Sequence, residues 1–403
     1  MKVEQLNLIT QYHSVKKEIN SAIEAVLESG IVINGDNVKK LENTLAIYTD
    51  NKYGVGVANG SDAIYIALKA LGISRKDAVI TVPFTFFATA GSIVRTEATP
   101  IFIDIDPQTF NLDPAKLQEF INTNCSFDTK TGHLVNRQTG HLIKAIIPVH
   151  LYGQMCKMDE IMEIANKYNL KVVEDSAQSI GSQYKGKNSS SWGDLAIFSF
   201  FPTKNLGTYG DGGMIVTSSN EYAEYCRIFR SHGSKPKYYH RFVGINSRLD
   251  ELHAAILNVK IKYLEKWLED RFQVACKYQK LFEAYNLLDK IKLPLKGVDN
   301  LKNHKEHTFH QYVIWTENRD DLQKYLKENE ISTNIYYPLC LHLQECFKYL
   351  DYKLGDFPIA EEASEHVLAI PMYPELTEDR QEYVVSKIAE FYSQSLRAKR
   401  SNL

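Results

Sequence analysis

The sequence lacks the glycine-rich signatures by which many α/β proteins bind nucleotides. The phosphate-binding motif GxxxxGK[ST] is absent, and so is the dinucleotide-binding motif GxGxxG. The first absence excludes a P-loop nucleotide hydrolase, and the second disfavours dinucleotide binding. A phosphate site in this chain therefore has to be built from other residues.

Long apolar runs, paired cysteines and a strong net charge are also missing. There is no run of about 18 apolar residues that would predict a membrane span, and the N-terminal segment lacks the apolar core of a signal peptide. The six cysteines are scattered without a CxxC pair, which is typical of reduced thiols. A net charge of −2 provides no field that would attract nucleic acid or an anionic membrane. We expect a cytoplasmic protein without a metal ion.

The chain instead contains an alternation of apolar strands and helices between residues 50 and 220. Val- and Ile-rich segments, such as residues 144–149, are separated by segments with helical spacing. Buried strands that alternate with helices predict an α/β fold with a mostly parallel sheet. Residues 247–285 show one long helical pattern, which we expect to be bent or broken once. The change of pattern predicts a large domain over residues 1–260 and a smaller α+β domain over residues 261–403.

Several functional residue types follow the predicted strands and would meet at the carboxyl edge of a parallel sheet. Gly60 and Ser61 open a helix, where backbone N–H groups and the helix dipole favour an anion. Asp175 ends a buried strand, and a carboxylate there requires a cationic or N–H partner. The segment FSFFPTKNLGTYGDGG (198–213) ends a further strand and then presents Lys204. The glycines after this lysine permit a tight turn and positive φ angles.

Together these residues predict a site for pyridoxal 5'-phosphate (PLP). Hydroxyl groups of Ser61 and Ser199 would complete a phosphate cup, and Phe86 would stack on a flat ring. Lys204 would form the Schiff base with the cofactor aldehyde, and Asp175 would pair with the pyridinium nitrogen. Partial burial suits such a lysine, because catalysis requires the neutral amine.

The same motifs resemble those of the DegT/StrS-type sugar-nucleotide aminotransferases, and the likeness covers nearly the whole chain. The Lys204 motif combined with EDSAQ (174–178) is its most specific part. The resemblance implies fold type I of the PLP-dependent transferases, with a seven-stranded sheet in the large domain. Other matching runs are GVANGSDAIYIALKALGI (56–73), VPFTFFATAGSI (82–93), AIIPVHLYGQ (145–154) and GINSRLDELHAAIL (244–257).

The resemblance also implies roles for individual residues. Lys204 is the lysine that binds the cofactor and moves the proton, and Asp175 holds the pyridine nitrogen. Gln178 hydrogen-bonds the 3-oxygen of the ring. Asn246 reaches the phosphate from the partner subunit, so the active unit would be a homodimer. The phosphate and ring contacts are assigned to Gly60, Ser61, Ser199 and Phe86.

Five further residues lie in regions that usually line the sugar-nucleotide pocket of such enzymes. For each of them, an ordinary surface position or a structural hydrogen bond is the alternative. They are His232, Tyr239, His240, Arg248 and His342.

The implied reaction transfers an amino group, with L-glutamate as the expected donor, to a nucleotide-linked ketosugar. Its product would serve the synthesis of lipopolysaccharide or a related aminosugar-containing glycan. The run KYYHRFVGINSRLD (237–250) most resembles members that aminate a 3-keto sugar on UDP, while a 4-keto sugar or a dTDP-linked sugar is the alternative. Competing functions are a PLP-dependent sugar dehydratase, in which histidine replaces the lysine, an aminotransferase for a cyclic ketone without a nucleotide, and a non-enzymatic regulator.

Residues 122–142 interrupt the alternation with a polar segment that contains TGHL twice. The two copies flank VNRQ (135–138) and could form a protruding hairpin. The segment is longer than the connection usual in the family. We expect a surface excursion without chemistry, and a lid or a dimer contact is the alternative.

Overall fold

The architecture was analysed in a computed structural model. It describes residues 1–294, 297–298, 301 and 303–401. Two helices, α1 (Leu8–Ser29) and α2 (Asp36–Tyr48), precede the first strand. The side chain of Asn7 accepts the amide of Thr10 and so caps the start of α1, while Gly30 ends that helix in the left-handed conformation with φ 65°.

A central sheet occupies the first half of the chain. The strands before residue 220 are β1 (Tyr53–Val57), β2 (Asp77–Thr81), β3 (Thr99–Phe102), β4 (Cys125–Asp128), β5 (His133–Asn136), β6 (Leu142–Ile146), β7 (Lys171–Asp175), β8 (Gln183–Tyr184), β9 (Lys187–Asn188), β10 (Leu195–Ser199) and β11 (Gly213–Thr217). The main path of the sheet has the order β1-β11-β10-β7-β6-β2-β3. In this path β11 is antiparallel to both of its neighbours, and the other neighbouring strands are parallel. The predicted α/β class and the mostly parallel sheet are therefore confirmed.

Helices cover both faces of this sheet. Along β10, Leu195 and Ile197 belong to one buried cluster and Ala196 and Phe198 to another, as the alternation of side chains in a strand requires. Burial on both faces explains why these strands are apolar at nearly every position. The helices are α3 (Gly60–Ala70), α4 (Ala88–Arg95), α5 (Pro114–Asn124), α6 (Met158–Lys167), α7 (Asn220–Phe229) and α8 (Glu251–Lys260).

The C-terminal part builds a core of its own around a short antiparallel pair of strands. Tyr278 and Phe282 pack there with Tyr312, and Val3 from the start of the chain joins the same cluster. The long helical pattern is broken once, at residues 261–263, as predicted. The division into two domains near residue 260 stays a proposal. The elements are α9 (Leu264–Ala284), β12 (Tyr312–Trp315), α10 (Arg319–Glu328), α11 (Pro358–His366), β13 (Val367–Ile370) and α12 (Glu378–Ser401).

The polar excursion does form a hairpin, but its arms differ from the predicted ones. Strand β4 pairs with β5, and β5 then pairs with β6 through Leu134 and Ile143. The excursion packs through Phe127, whose ring lies edge to face on Tyr168 at 5.3 Å. It leads into the start of β6, away from the carboxyl ends of the strands. This position argues against a lid over the carboxyl edge of the same subunit.

Candidate active site

Lys204 lies on a compact turn that follows β10. Its amide donates to the carbonyl of Phe201 at 2.9 Å, and the amide of Thr208 donates to the carbonyl of Phe200 at 2.8 Å. Gly207 lies inside the turn, where a Cβ would come within 2.5 Å of a backbone carbonyl oxygen. The turn thus fixes the backbone of Lys204 and leaves its side chain half-buried.

The glycines of this segment serve close packing and do not supply unusual backbone angles. Gly207, Gly210, Gly212 and Gly213 are all described, and none has a positive φ, so the expectation of positive φ angles was wrong. A Cβ on Gly213 would lie 2.6 Å from the carbonyl oxygen of Asn59. Glycine is required here because two backbone segments approach each other directly.

Asp175 is the last residue of β7 and is only 6% exposed. The hydroxyl of Thr89 donates to its Oδ2 at 2.8 Å, and the amide of Ala177 donates to its Oδ1 at 3.2 Å. Burial raises the pKa of the Asp175 carboxyl, while the two hydrogen bonds and the charge of Lys204 oppose the rise. In the parallel register of β7 and β10, Asp175 is opposite Ile197, which places the carboxylate beside the Lys204 turn.

The amine of Lys204 is altered by the same surroundings. Burial lowers the pKa of the Lys204 ammonium to about 8, although the charge of Asp175 opposes this shift. With that pKa, about one tenth of the amine is neutral at pH 7, far more than for an ordinary lysine. Lys204 is therefore a competent nucleophile and proton acceptor near neutral pH.

A cradle for an anion lies at the start of α3. A Cβ on Gly60 would lie 2.9 Å from the Cβ of Ser199 and 3.3 Å from its hydroxyl oxygen, so the two residues touch. Asn59 caps the helix by accepting the amide of Asp62 at 2.8 Å. Gly60 and Ser61 contribute the first amides of this 11-residue helix, where the dipole favours negative charge.

Replacing Gly60 by alanine is expected to damage this cradle. The new Cβ would meet Ser199 at 2.9 Å, closer than carbon atoms normally approach, so Ser199 would have to shift. We expect the affinity of the apo-protein for PLP to fall by about tenfold, or ~1.4 kcal/mol, as measured by a fluorescence titration. Lys69→Ala, near the other end of α3, serves as the control. An unchanged affinity of Gly60→Ala would contradict the cradle.

Phe86 and Gln178 share an aromatic neighbour from the C-terminal part. The ring of Phe86 is 58% exposed and lies 6.3 Å from the ring of Tyr337. The side chain of Gln178 accepts the amide of Tyr152 at 2.7 Å and donates to the hydroxyl of Tyr337 at 3.1 Å. The side-chain amide of Gln178 is thus held in one orientation at the carboxyl edge.

Five residues expected around the sugar nucleotide, or at the phosphate from a partner, lie close together along the chain. His232, Tyr239 and His240 lie in an exposed loop, where Nδ1 of His240 is 2.9 Å from the carbonyl oxygen of His232. Asn246 follows this loop and is exposed. Arg248 is half-buried next to it. The structure brings these residues to one surface but gives none of them a hydrogen bond to Lys204 within the described chain.

His342 differs from the others because it is buried. Its Nε2 lies 3.0 Å from a carboxylate oxygen of Glu361, and its ring packs edge to face on Phe357 at 4.8 Å. These contacts favour the alternative of a structural hydrogen bond for His342.

The whole chain was compared with known proteins. The model of the DegT/DnrJ/EryC1/StrS aminotransferase family matches residues 13–389. The chain belongs to this family. The predicted resemblance and fold type are thereby confirmed, and the enzyme class is aminotransferase.

Similar proteins of this family include one with a regulatory name. A "Pleiotropic regulatory protein" of Geobacillus stearothermophilus is 51% identical over 97% of this chain and 99% of its own length. Two relatives are each 38% identical over 93% of this chain and 96% of their own: the UDP-2-acetamido-2-deoxy-3-oxo-D-glucuronate aminotransferase of Pseudomonas aeruginosa and the dTDP-3-amino-3,6-dideoxy-alpha-D-galactopyranose transaminase of Aneurinibacillus thermoaerophilus. The solved structure of S. venezuelae DesV, in complex with a ketimine intermediate, superposes with a TM-score of 0.87 at 33% identity, covering 97% of this chain and 98% of that chain.

Aminotransferases of this family depend on PLP, and the residues of the site fit that cofactor. The buried carboxylate of Asp175 can hold a protonated ring nitrogen, and the Lys204 amine has the lowered pKa that the cofactor aldehyde requires. Because Gly60 has no Cβ, the first turn of α3 packs directly against Ser199, and the amides of this helix start are suited to an anion such as the cofactor phosphate. The chain is a PLP-dependent aminotransferase. Within the described chain, no three His, Cys, Asp or Glu side chains are grouped to bind a metal ion, and no helix is long and apolar enough to cross a bilayer.

Sequence analysis missed three residues that line this site. Thr89 follows Phe86 by one helical turn, and this spacing could have indicated that Thr89 lies on the same side as Phe86. Tyr337 and His310 lie more than 100 residues after Lys204, so only the fold brings them near. His310 is buried, with Nδ1 at 3.3 Å from the side-chain oxygen of Asn205, and burial together with the charge of Lys204 lowers its pKa.

Proposed function

We propose that this aminotransferase converts a nucleotide-linked 3-ketosugar into the corresponding aminosugar, with L-glutamate as the amino donor. The observation that carries the proposal is the charge interaction between the Lys204 amine and the buried Asp175 carboxylate. The contact of Gly60 with Ser199, at the end of the strand next to that of Asp175, supports it. The names of the two relatives at 38% identity, a 3-oxo sugar on UDP and a 3-amino sugar on dTDP, support a 3-keto substrate.

Asp175 acts on the ring nitrogen and Lys204 acts on the reacting carbon atoms. PLP bound here would supply an electrophilic aldehyde carbon, which carries the amino group between the two substrates, and a ring that withdraws electrons. Asp175 would keep the ring nitrogen protonated, and the Thr89 hydroxyl fixes the carboxylate in place. Nζ of Lys204 takes up the α-proton of the amino donor and later delivers a proton to the sugar carbon that receives nitrogen. A positioned proton carrier of this kind contributes about 10²–10⁴-fold in rate.

The remaining residues bind and orient. Gly60, Ser61 and Ser199 would hold the phosphate, and the exposed ring of Phe86 would be available to stack on the cofactor. Gln178, fixed by its own hydrogen bonds, is available to the ring 3-oxygen. For the sugar nucleotide we assign His232, Tyr239, His240 and Arg248. His342 is retained as a structural residue, because its ring is engaged with Glu361.

A second copy of the chain completes the site in this proposal. Asn246 and the ring of Phe86 are both exposed in the single chain, and we assign Asn246 to the cofactor phosphate of the partner subunit. We place the reaction in the cytoplasm, in the synthesis of aminosugars for lipopolysaccharide or a related glycan. Mixing Lys204→Ala with Asn246→Ala subunits tests the homodimer, because one intact site per mixed dimer would restore activity.

The substrate is tested with a matched panel. UDP- and dTDP-linked sugars, each with a 3-keto or a 4-keto group, are incubated with the PLP-loaded enzyme and ¹⁵N-glutamate, and the products are identified by NMR. We expect ¹⁵N at carbon 3 of the UDP-linked sugar. The same ketosugar without its nucleotide is the control, and preferential amination of that control would overturn the proposal in favour of a free cyclic ketone.

A regulatory role is a second candidate, because the relative at 51% identity bears a regulatory name. The test compares cells that carry the parent protein with cells that carry the Lys204→Ala protein. If regulation works through the aminated product, the Lys204→Ala cells should lose both the aminotransferase activity and the regulatory effect. If regulation is a separate function of the folded protein, the Lys204→Ala cells should lose the aminotransferase activity and keep the regulatory effect.

A further inference from the structure

We infer that Lys260 is a positioning residue for Lys204. Its ammonium holds the backbone turn on which the reactive amine is carried. Lys260 is the last residue of α8 and is 1% exposed. Its Nζ donates to the carbonyl oxygen of Gly207 at 2.5 Å. Gly207 is three residues after Lys204 and lies inside the same turn, so the inference rests on the proposed role of Lys204.

The surroundings of Lys260 suit a buried ammonium that serves a specific purpose. The Nζ atom lies 4.9 Å from the ring centroid of Tyr209 and 5.9 Å from that of Trp267, within the range of cation–π attraction. Burial lowers the pKa of the Lys260 ammonium to about 8, and the charge of Glu375 opposes this shift, so the ammonium form still predominates at pH 7. Burial of an ammonium is costly unless it is well bonded. An apolar side chain would fill this space without the free-energy cost of burying a charge. We therefore attribute the presence of lysine here to its hydrogen bond with the turn.

The bond links two elements that are 53 residues apart in the sequence. Lys260 ends α8 directly before the break at residues 261–263, and Gly207 belongs to the turn after β10. In that turn the hydroxyl of Thr208 is buried and makes no hydrogen bond within the described chain, so this hydroxyl does not help to hold the turn. Without the Lys260 ammonium, the carbonyl of Gly207 loses its charged donor, and the turn is free to relax.

The inference is tested in the apo-protein, without substrate. The pH dependence of Lys204 acetylation by acetic anhydride is read by peptide mass spectrometry, and amide exchange of the 200–210 peptide is followed in parallel. We expect an acetylation midpoint near pH 8 in the parent. In Lys260→Met we expect a midpoint higher by about one pH unit, toward the value of a free lysine, and exchange faster by about tenfold.

Two variants control for a general loss of stability. Arg319→Met removes another buried cation that donates to a backbone carbonyl, that of Ser364 at 3.0 Å, in the C-terminal part. It should leave the Lys204 midpoint and the 200–210 exchange unchanged. Lys260→Arg keeps a cationic donor and should return both readouts most of the way to those of the parent.

Two results would overturn the inference. One is an unchanged midpoint and exchange rate in Lys260→Met, and the other is an equal change in Arg319→Met. If Lys260→Met does not fold, Lys260→Leu, which also lacks a donor, is examined in the same way, and a parent-like midpoint in that variant also overturns the inference. Failure of the ketosugar assay would be a separate result, because acetylation and exchange involve neither cofactor nor sugar.

Discussion

The Lys204→Ala protein should lose aminotransfer almost completely, with kcat reduced by more than about 10³-fold. Alanine has neither the amine that joins the cofactor nor a group that can move a proton between carbon atoms. Because the Lys204 side chain is half-buried and the turn is held by backbone bonds, the fold should survive the change. The rate is measured as 2-oxoglutarate formed from glutamate with the ketosugar that the panel identifies, at saturating PLP.

An exposed lysine provides the control for this experiment. Lys185 is paired with Asp159 at the surface, and Lys185→Ala should retain the parent rate. A Lys204→Ala protein that turned over at a rate similar to the parent would remove the lysine from the mechanism.

Asp175→Asn should reduce kcat by about 10²–10³-fold, the typical cost of losing one preorganised electrostatic contact to the reacting group. An amide cannot balance the charge of a protonated ring nitrogen, so the electron-withdrawing power of the cofactor falls. The change is nearly isosteric, and the Thr89 and Ala177 hydrogen bonds constrain the side chain. Steady-state kinetics at saturating PLP measure kcat, and the visible spectrum reports the state of the ring.

The beginning of β7, the strand that ends at Asp175, offers a matched control. Asp194 accepts the amide of Val172 at 2.9 Å and pairs with Lys171, at the start of β7. Asp194→Asn should therefore change stability without changing kcat. A parent-like kcat in Asp175→Asn, or an equal loss in both variants, would show that the charge of Asp175 is not needed for catalysis.

The candidate site could be predicted from the sequence where a strand delivers a residue to the carboxyl edge. Asp175 and Lys204 each follow an apolar strand, and adjacent parallel strands must bring such residues together. Ser199 and Gly60 come into contact for the same reason, since they end β10 and open α3. The alternation of apolar strands with helices therefore carried most of the information about the fold and the site.

Other contacts depend on packing that local sequence does not encode. Tyr337 meets Gln178 across 159 residues, and Lys260 reaches Gly207 across 53 residues. The pairing of β5 with β6, and not the TGHL repeat, sets the hairpin register. The role of the glycines was misjudged because close backbone approach and positive φ both favour glycine in a sequence.

The central claim is that Lys204 is the amine that binds PLP, and borohydride trapping tests it most directly. The PLP-loaded protein is reduced with borohydride and digested, and the peptides are mapped by mass spectrometry. Lys260 makes the mapping decisive, because burial also lowers the pKa of its ammonium to about 8. We predict a phosphopyridoxyl group on the peptide that contains Lys204. A group on Lys260 or another lysine, or no modified peptide at all, would contradict the account.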